Sequence, residues 1–254
     1  MDLDTVEQYL TRVADEMPKR LSDSLDLSLA RFLPIHVTVR PLLCPTLAYN
    51  SSKKIWHMYI PQPRIYMLRG DKVKEFEMAQ MELEAVHEIS HVVHTASNPK
   101  MHQSFEREKK LLKTLPEDMR TPAYEMFLTV AEIAAEYTAW FFIDLLQGVE
   151  IFLSRAYNRE REEDLERIKK KHCLGESQYD LTKLAFLAHK KEGSQNEFCR
   201  QLLVGRLDEI VQIRHIGDIL RRTEKYIFEH SEKYSGCELF HWGCQEIREN
   251  YKSI

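Results

Sequence analysis

Apolar residues recur at three- and four-residue spacings through most of the chain, and strict alternation with polar residues is confined to short stretches before residue 70. That pattern predicts a predominantly helical α+β protein with a small sheet near its start. Val6, Leu10, Val13 and Met17 share one side of a helix expected over residues 4–23. Ile35-His-Val-Thr-Val-Arg40 alternates between Pro34 and Pro41, as a half-buried strand does. Thr46–Tyr49, Ile55–Ile60 and Arg64–Leu68 follow as short strands, separated by the turn signals Asn50-Ser51-Ser52 and Pro61-Gln62-Pro63.

Two long helices come next. The run from Val73 to Ala96 contains neither Pro nor Gly, and Asp71 is placed to cap it, so about six turns of helix are expected. Met78, Ala85, Ile89 and Val92 make its apolar stripe. Thr121-Pro122 reads as N-cap and first residue of the second helix, which passes Tyr124, Phe127, Leu128, Val130, Ile133, Trp140, Phe141 and Leu146 before a stop at Gly148. Apolar almost all round, it is expected to be central and buried.

The connections are polar. Residues 97–120 carry Pro99 and Pro116 around a short charged helix at 103–113, either a lid or a surface insertion. Residues 155–171 form a charge run read as a solvated helix, and amphipathic helices are expected at 179–190 and 207–228. The stretch Cys237–Cys244 is aromatic and expected to pack down. The implied organisation is a core over residues 1–150, holding the first helix, the sheet and the two long helices. A helical C-terminal region, 151–254, packs on it.

Composition narrows the function. With 254 residues, a formal net charge of −4 and a pI near 6.3, the chain is large enough for a substantial core and lacks the basic excess of a general nucleic-acid binder. The acidic start Met1-Asp2-Leu3-Asp4 has none of the regions of a signal peptide, so a cytoplasmic location is expected. Residues 126–153 approach the length of a membrane span, but Glu132, Glu136 and Asp144 interrupt them, and no membrane partner is expected. Five cysteines without a C-x-x-C pair point to reduced thiols and not to a disulfide framework.

The chemistry concentrates in His87-Glu88-Ile89-Ser90-His91. On a helix, residues four apart stand one turn above the other, so the two imidazoles can share one ion. Zn²⁺ takes His nitrogen, and a catalytic site needs three protein ligands with a fourth position left for water. Glu88, beside His87, is placed to take the proton of that water. A third ligand is then required. On the second long helix Glu125, Glu132 and Glu136 share a narrow stripe within an apolar surface, and a buried carboxylate without a partner is costly. Glu132 is preferred, because Glu136 one turn later could accept a hydrogen bond from a ligand histidine; Glu136 remains the alternative ligand. His94 lies on the same face as His87 and His91 but too far along that helix to close a tetrahedron, so it is read as lining the cleft or supporting a ligand. It also occupies the position where the metzincin motif requires Gly, which excludes that branch. His215 is a candidate oxyanion stabiliser or a packing residue.

His87-Glu88-x-x-His91 with a downstream helical Glu resembles the gluzincin branch of the zincin metallopeptidases. There the ligand Glu is followed by a small residue three positions on and a polar residue at the fourth, the order of Glu132, Ala135 and Glu136. The trailing His94 and the alanines resemble the ImmA/IrrE-like group in particular, although Ser90 stands where that group often has glycine. The resemblance covers about residues 64–146. It implies a zincin-like core, a Zn²⁺ cofactor, a peptide or protein substrate (in that group a transcriptional repressor), and an edge strand that binds the extended peptide, for which Arg64–Leu68 is the candidate.

The expected function is therefore zinc-dependent peptide hydrolysis, with Zn²⁺ on His87, His91 and Glu132 and Glu88 as general base. Two other readings use the same residues. Glu84-x-x-His87 and Glu88-x-x-His91 both match the E-x-x-H element of di-iron carboxylate bundles, with Glu132 and Glu136 as bridging carboxylates, but no second copy of the element lies on another helix. A non-catalytic zincin-like binding or regulatory protein is the third.

Overall fold

The computed structural model describes residues 2–27, 34–41, 45–50, 52–61, 73–97, 117–156 and 178–205, together with 210, 213, 216, 217 and 219. Helix α1 (Leu3–Leu25) starts at Asp2, whose Oδ1 accepts from the orphan amide Thr5 N at 2.8 Å and from the Thr5 hydroxyl, Oγ1, at 2.7 Å. These bonds hold the Asp2 carboxyl below the usual carboxylate range. The helix runs through Pro18 and ends at Asp26 in the left-handed conformation, φ 50°. Val6, Leu10, Val13, Ala14, Met17, Leu21 and Leu25 are its buried side, the spacing the sequence predicts.

Three strands follow: β1 (Ile35–Arg40), β2 (Thr46–Asn50) and β3 (Ile55–Pro61). Their order is β1-β3-β2, with β1 parallel and β2 antiparallel to β3. In this register Ile35, Val37 and Val39 stand beside Trp56, Met58 and Ile60 on one face, and all but Trp56 are buried. His36 and His57 are neighbours on the other, their rings 5.9 Å apart. The outward amides of β1 are not left for another chain to pair with. Val37 N donates to Thr11 Oγ1 at 3.3 Å and Val39 N to Glu7 Oε1 at 2.7 Å, so α1 closes that edge with side chains. At the β2–β3 turn Asn50 Oδ1 accepts from Lys53 N at 3.1 Å, and Lys54 sits at φ 51°. The strand expected at Arg64–Leu68, the cap at Asp71 and the charged helix at 103–113 lie outside the described residues.

Helix α2 (Glu75–Ser97) carries the H-E-x-x-H motif. Glu77 Oε2 accepts from Lys74 N at 2.9 Å, the returning half of a capping box. Met78, Ala85, Ile89 and Val92 are buried as predicted, with Ala79, Val86 and Val93 beside them. Helix α3 (Glu117–Gln147) starts four residues before Thr121. The expected N-cap is therefore a helical residue, and Pro122, in the second turn, cannot donate to the carbonyl of Asp118. From Val130 to Ile143 every residue except Glu132 is buried, as an all-round apolar helix should be. Gly148, at φ 85°, ends α3 where the sequence places the stop, and Val149 N donates to Asp144 Oδ1 at 2.9 Å. Helix α4 (Val149–Ala156) follows at once, with Phe152 edge-on to Trp140 at 5.6 Å. Among the described residues no helix is long and apolar enough to cross a membrane.

The chain forms two compact units. Met1–Ala96 and Thr138–Leu174 make the first, Ser97–Tyr137 and Gly175–Ile254 the second; this division differs from the cut expected at residue 150. The first unit holds a buried polar knot around Glu82, which is wholly inaccessible. Glu82 Oε1 accepts from Tyr9 Oη at 2.5 Å and from Gln147 Nε2 at 3.0 Å, and Oε2 accepts from Arg155 Nη1 at 3.3 Å. Arg155 also donates to Gln147 and pairs with Glu75 at 3.4 Å. Burial and the Glu82 carboxylate together push the Tyr9 phenol up. In the second unit, helices α5 (Gln178–Glu192) and α6 (Gln195–Val204) are joined by a turn at Gly193, φ 75°. Their buried residues Phe186, His189, Phe198 and Cys199 gather on Tyr137 of α3, whose ring lies 5.6 Å from Phe186 and 4.6 Å from Phe198. The Tyr137 hydroxyl and His189 Nδ1 are hydrogen-bonded at 2.8 Å.

Candidate metal centre

The site is built on α2. Helical periodicity sets His87 and His91 on one side, with ring centroids 5.0 Å apart and planes at 80°, while Ala85, Val86, Ile89 and Ser90 are turned into the core. Ser90, between the two histidines in sequence, donates its hydroxyl to Val86 O at 2.8 Å. The carboxylate comes from α3, where Glu132 is the one half-buried residue in a buried run. His87, His91 and Glu132 each offer one ligand atom, and these atoms all lie within 4.8 Å of one another. A group of this kind can hold a metal ion. Ligands about 2.0–2.1 Å from a tetrahedral ion stand about 3.3 Å apart. Two imidazoles and a carboxylate are a donor set suited to a divalent ion of the first transition row. Among the described residues this is the one such group.

The remaining predicted residues surround it. Glu88 is half-buried between the two histidines in sequence. Glu84, one turn before Glu88, has its carboxyl pushed up by burial and by the Glu88 charge, against a hydrogen bond from Gln80 at 3.2 Å. Glu136 is buried at 6% exposure and is not in the group of three. His94 is also outside it, 4% exposed, with Nε2 lacking a hydrogen-bond partner among the described residues. Burial, followed by the neighbouring His91, pushes its pKa down to about 3, so the ring is neutral near pH 7. Glu125 and His215 lie where no side chain is described.

One residue near the centre is absent from the sequence reading. Tyr179, at the start of α5, donates its phenol hydrogen to Glu132 Oε2 at 3.1 Å. Forty-seven positions separate the two, so no periodicity connects them; Tyr179 is legible from sequence only as the first aromatic of an amphipathic helix.

No protein family, curated protein or solved structure matches this chain.

Proposed function

We propose that the protein is a zinc-dependent peptidase built on a zincin plan of the gluzincin type. The single observation that carries this reading is the convergence of His87, His91 and Glu132 within 4.8 Å, with Glu88 of the same motif next to a ligand. His87, His91 and Glu132 would hold Zn²⁺, which when bound polarises the scissile carbonyl and acidifies a water in its open position. Glu88 receives the proton of that water and delivers it to the leaving nitrogen, so the amine departs neutral. Four-residue spacing on one helix keeps the two imidazoles in register, and Glu136, one turn beyond Glu132, and His94, beyond His91, are both buried. A cytoplasmic peptide or protein is the proposed substrate.

The test separates binding from turnover. Purified wild type should carry one zinc per chain and cleave members of a peptide library. Glu88→Gln should keep the zinc and lose hydrolysis by about 10²–10⁴-fold, the usual worth of a general base. Full turnover in Glu88→Gln would reject the mechanism.

A further inference from the structure

We propose that Tyr179 is a positioning residue of the metal centre, through which the helical C-terminal region takes part in metal binding. The inference rests on the zinc-site reading above. A carboxylate has two oxygens, and the Tyr179 hydroxyl occupies one of them, Oε2, at 3.1 Å. The other oxygen, Oε1, is assigned to the cation. A donor on one oxygen disfavours ligation by both, and this matters because a two-oxygen Glu132 would fill the position that substrate and water require. A phenol suits this position, since it is a neutral donor at pH 7 and does not oppose a cation as a lysine would.

What holds Tyr179 in place is the other end of its helix. His189, three turns on and 3% exposed, is hydrogen-bonded to Tyr137 at 2.8 Å, and Tyr137 lies on the same helix as Glu132, five residues further along. Phe186 and Phe198 pack against the same Tyr137 ring. Helix α5 is thus fastened to α3 by a buried pair, and Tyr179 in its first turn reaches the ligand carboxylate. Tyr179 itself is 43% exposed, and Tyr179→Phe keeps its ring and removes only the hydroxyl.

The experiment is Tyr179→Phe in the full chain, read by zinc competition against a chromophoric chelator and by the visible spectrum of the cobalt-substituted protein. Loss of an orienting partner of a ligand weakens metal binding by about 10–100-fold, and that is the expected rise in the zinc Kd. The cobalt band should weaken as Glu132 turns both oxygens to the ion, and the melting temperature of metal-free protein should not move. A zinc Kd within about twofold of wild type with an unchanged cobalt band would overturn the assignment. Glu132→Ala distinguishes the two levels. If Glu132→Ala loses zinc and Tyr179→Phe does not, the positioning role alone fails. If wild type takes up no zinc, or Glu132→Ala binds it as wild type does, the metal centre itself is wrong and Tyr179 falls with it.

Discussion

Helix α2 buries polar side chains at both ends of its length, and the two ends treat them in opposite ways. At Glu82 both oxygens are engaged by donors from three other parts of the first unit, Tyr9, Gln147 and Arg155. Little more than a turn later, His87 and His91 each offer a ring nitrogen within 4.8 Å of a Glu132 oxygen, and His94 buries a ring nitrogen with no partner among the described residues. A buried charge surrounded by its complement is a fastening. Two imidazoles and a carboxylate gathered on one point are an arrangement that a cation can complete. Burial alone therefore does not mark a site; the sign of what surrounds the buried group does.

The comparison breaks most visibly at the fastening. Glu82→Ala strips three donors of their acceptor and leaves the Arg155 guanidinium, whose side chain is 21% exposed, facing the distant half of its pairing with Glu75. Removing one partner of a buried pair costs about 3–5 kcal/mol, so a large fall in the midpoint of chemical denaturation is expected, with zinc stoichiometry unchanged in the fraction that remains folded. Stability within about 1 kcal/mol of wild type would mean that the knot contributes little.

At the other end the roles reverse. Zinc binds the folded state, so free zinc at about one hundred times its Kd should raise wild-type stability by about 2.7 kcal/mol. His91→Ala should abolish that gain while leaving metal-free stability near wild type, since His91 is half-buried and turned away from the apolar core. Thermal melts with and without zinc check this. An equal zinc-induced shift in both proteins would remove His91 from the centre.

These two ends are not equally readable in the sequence. Periodicity is a local property, and it finds α1, the strand at Ile35–Arg40 between its prolines, and the apolar stripe of α2 because each is written within one stretch of chain. The motif residues are legible for the same reason: His87, Glu88 and His91 share a helix turn. Glu132 needs a chemical argument, the cost of a carboxylate on an apolar helix, and that argument cannot choose between Glu132 and Glu136 by spacing alone. The Glu82 knot and Tyr179 depend on pairs 73 and 47 positions apart, which no local pattern encodes. The same holds for the sheet order β1-β3-β2, and for a division into units that passes through α3. Helix α6 escapes a sequence reading for a different reason. Its buried stripe, Phe198, Cys199, Leu202 and Leu203, spans only ten residues and repeats once, a weak periodic signal.

The finest distinction between the two ends is their response to acid. His94 titrates near 6.5 when exposed in an unfolded chain, whereas burial pushes it down to about 3 in the folded one. Between those values the unfolded chain binds a proton that the folded chain refuses, so stability falls as pH is lowered through the window, by up to about 1.4 kcal/mol per pH unit from this group. Carboxylates add their own acid dependence below about pH 5, and for that reason the informative quantity is a difference. Metal-free His94→Leu lacks the titrating ring and fills the same buried volume with apolar atoms. The gap in unfolding free energy between His94→Leu and wild type should therefore widen in favour of the variant from pH 7 to pH 5. Curves that stay parallel over that range would show that His94 reaches water, and the contrast with the shielded Glu82 end would have to be redrawn.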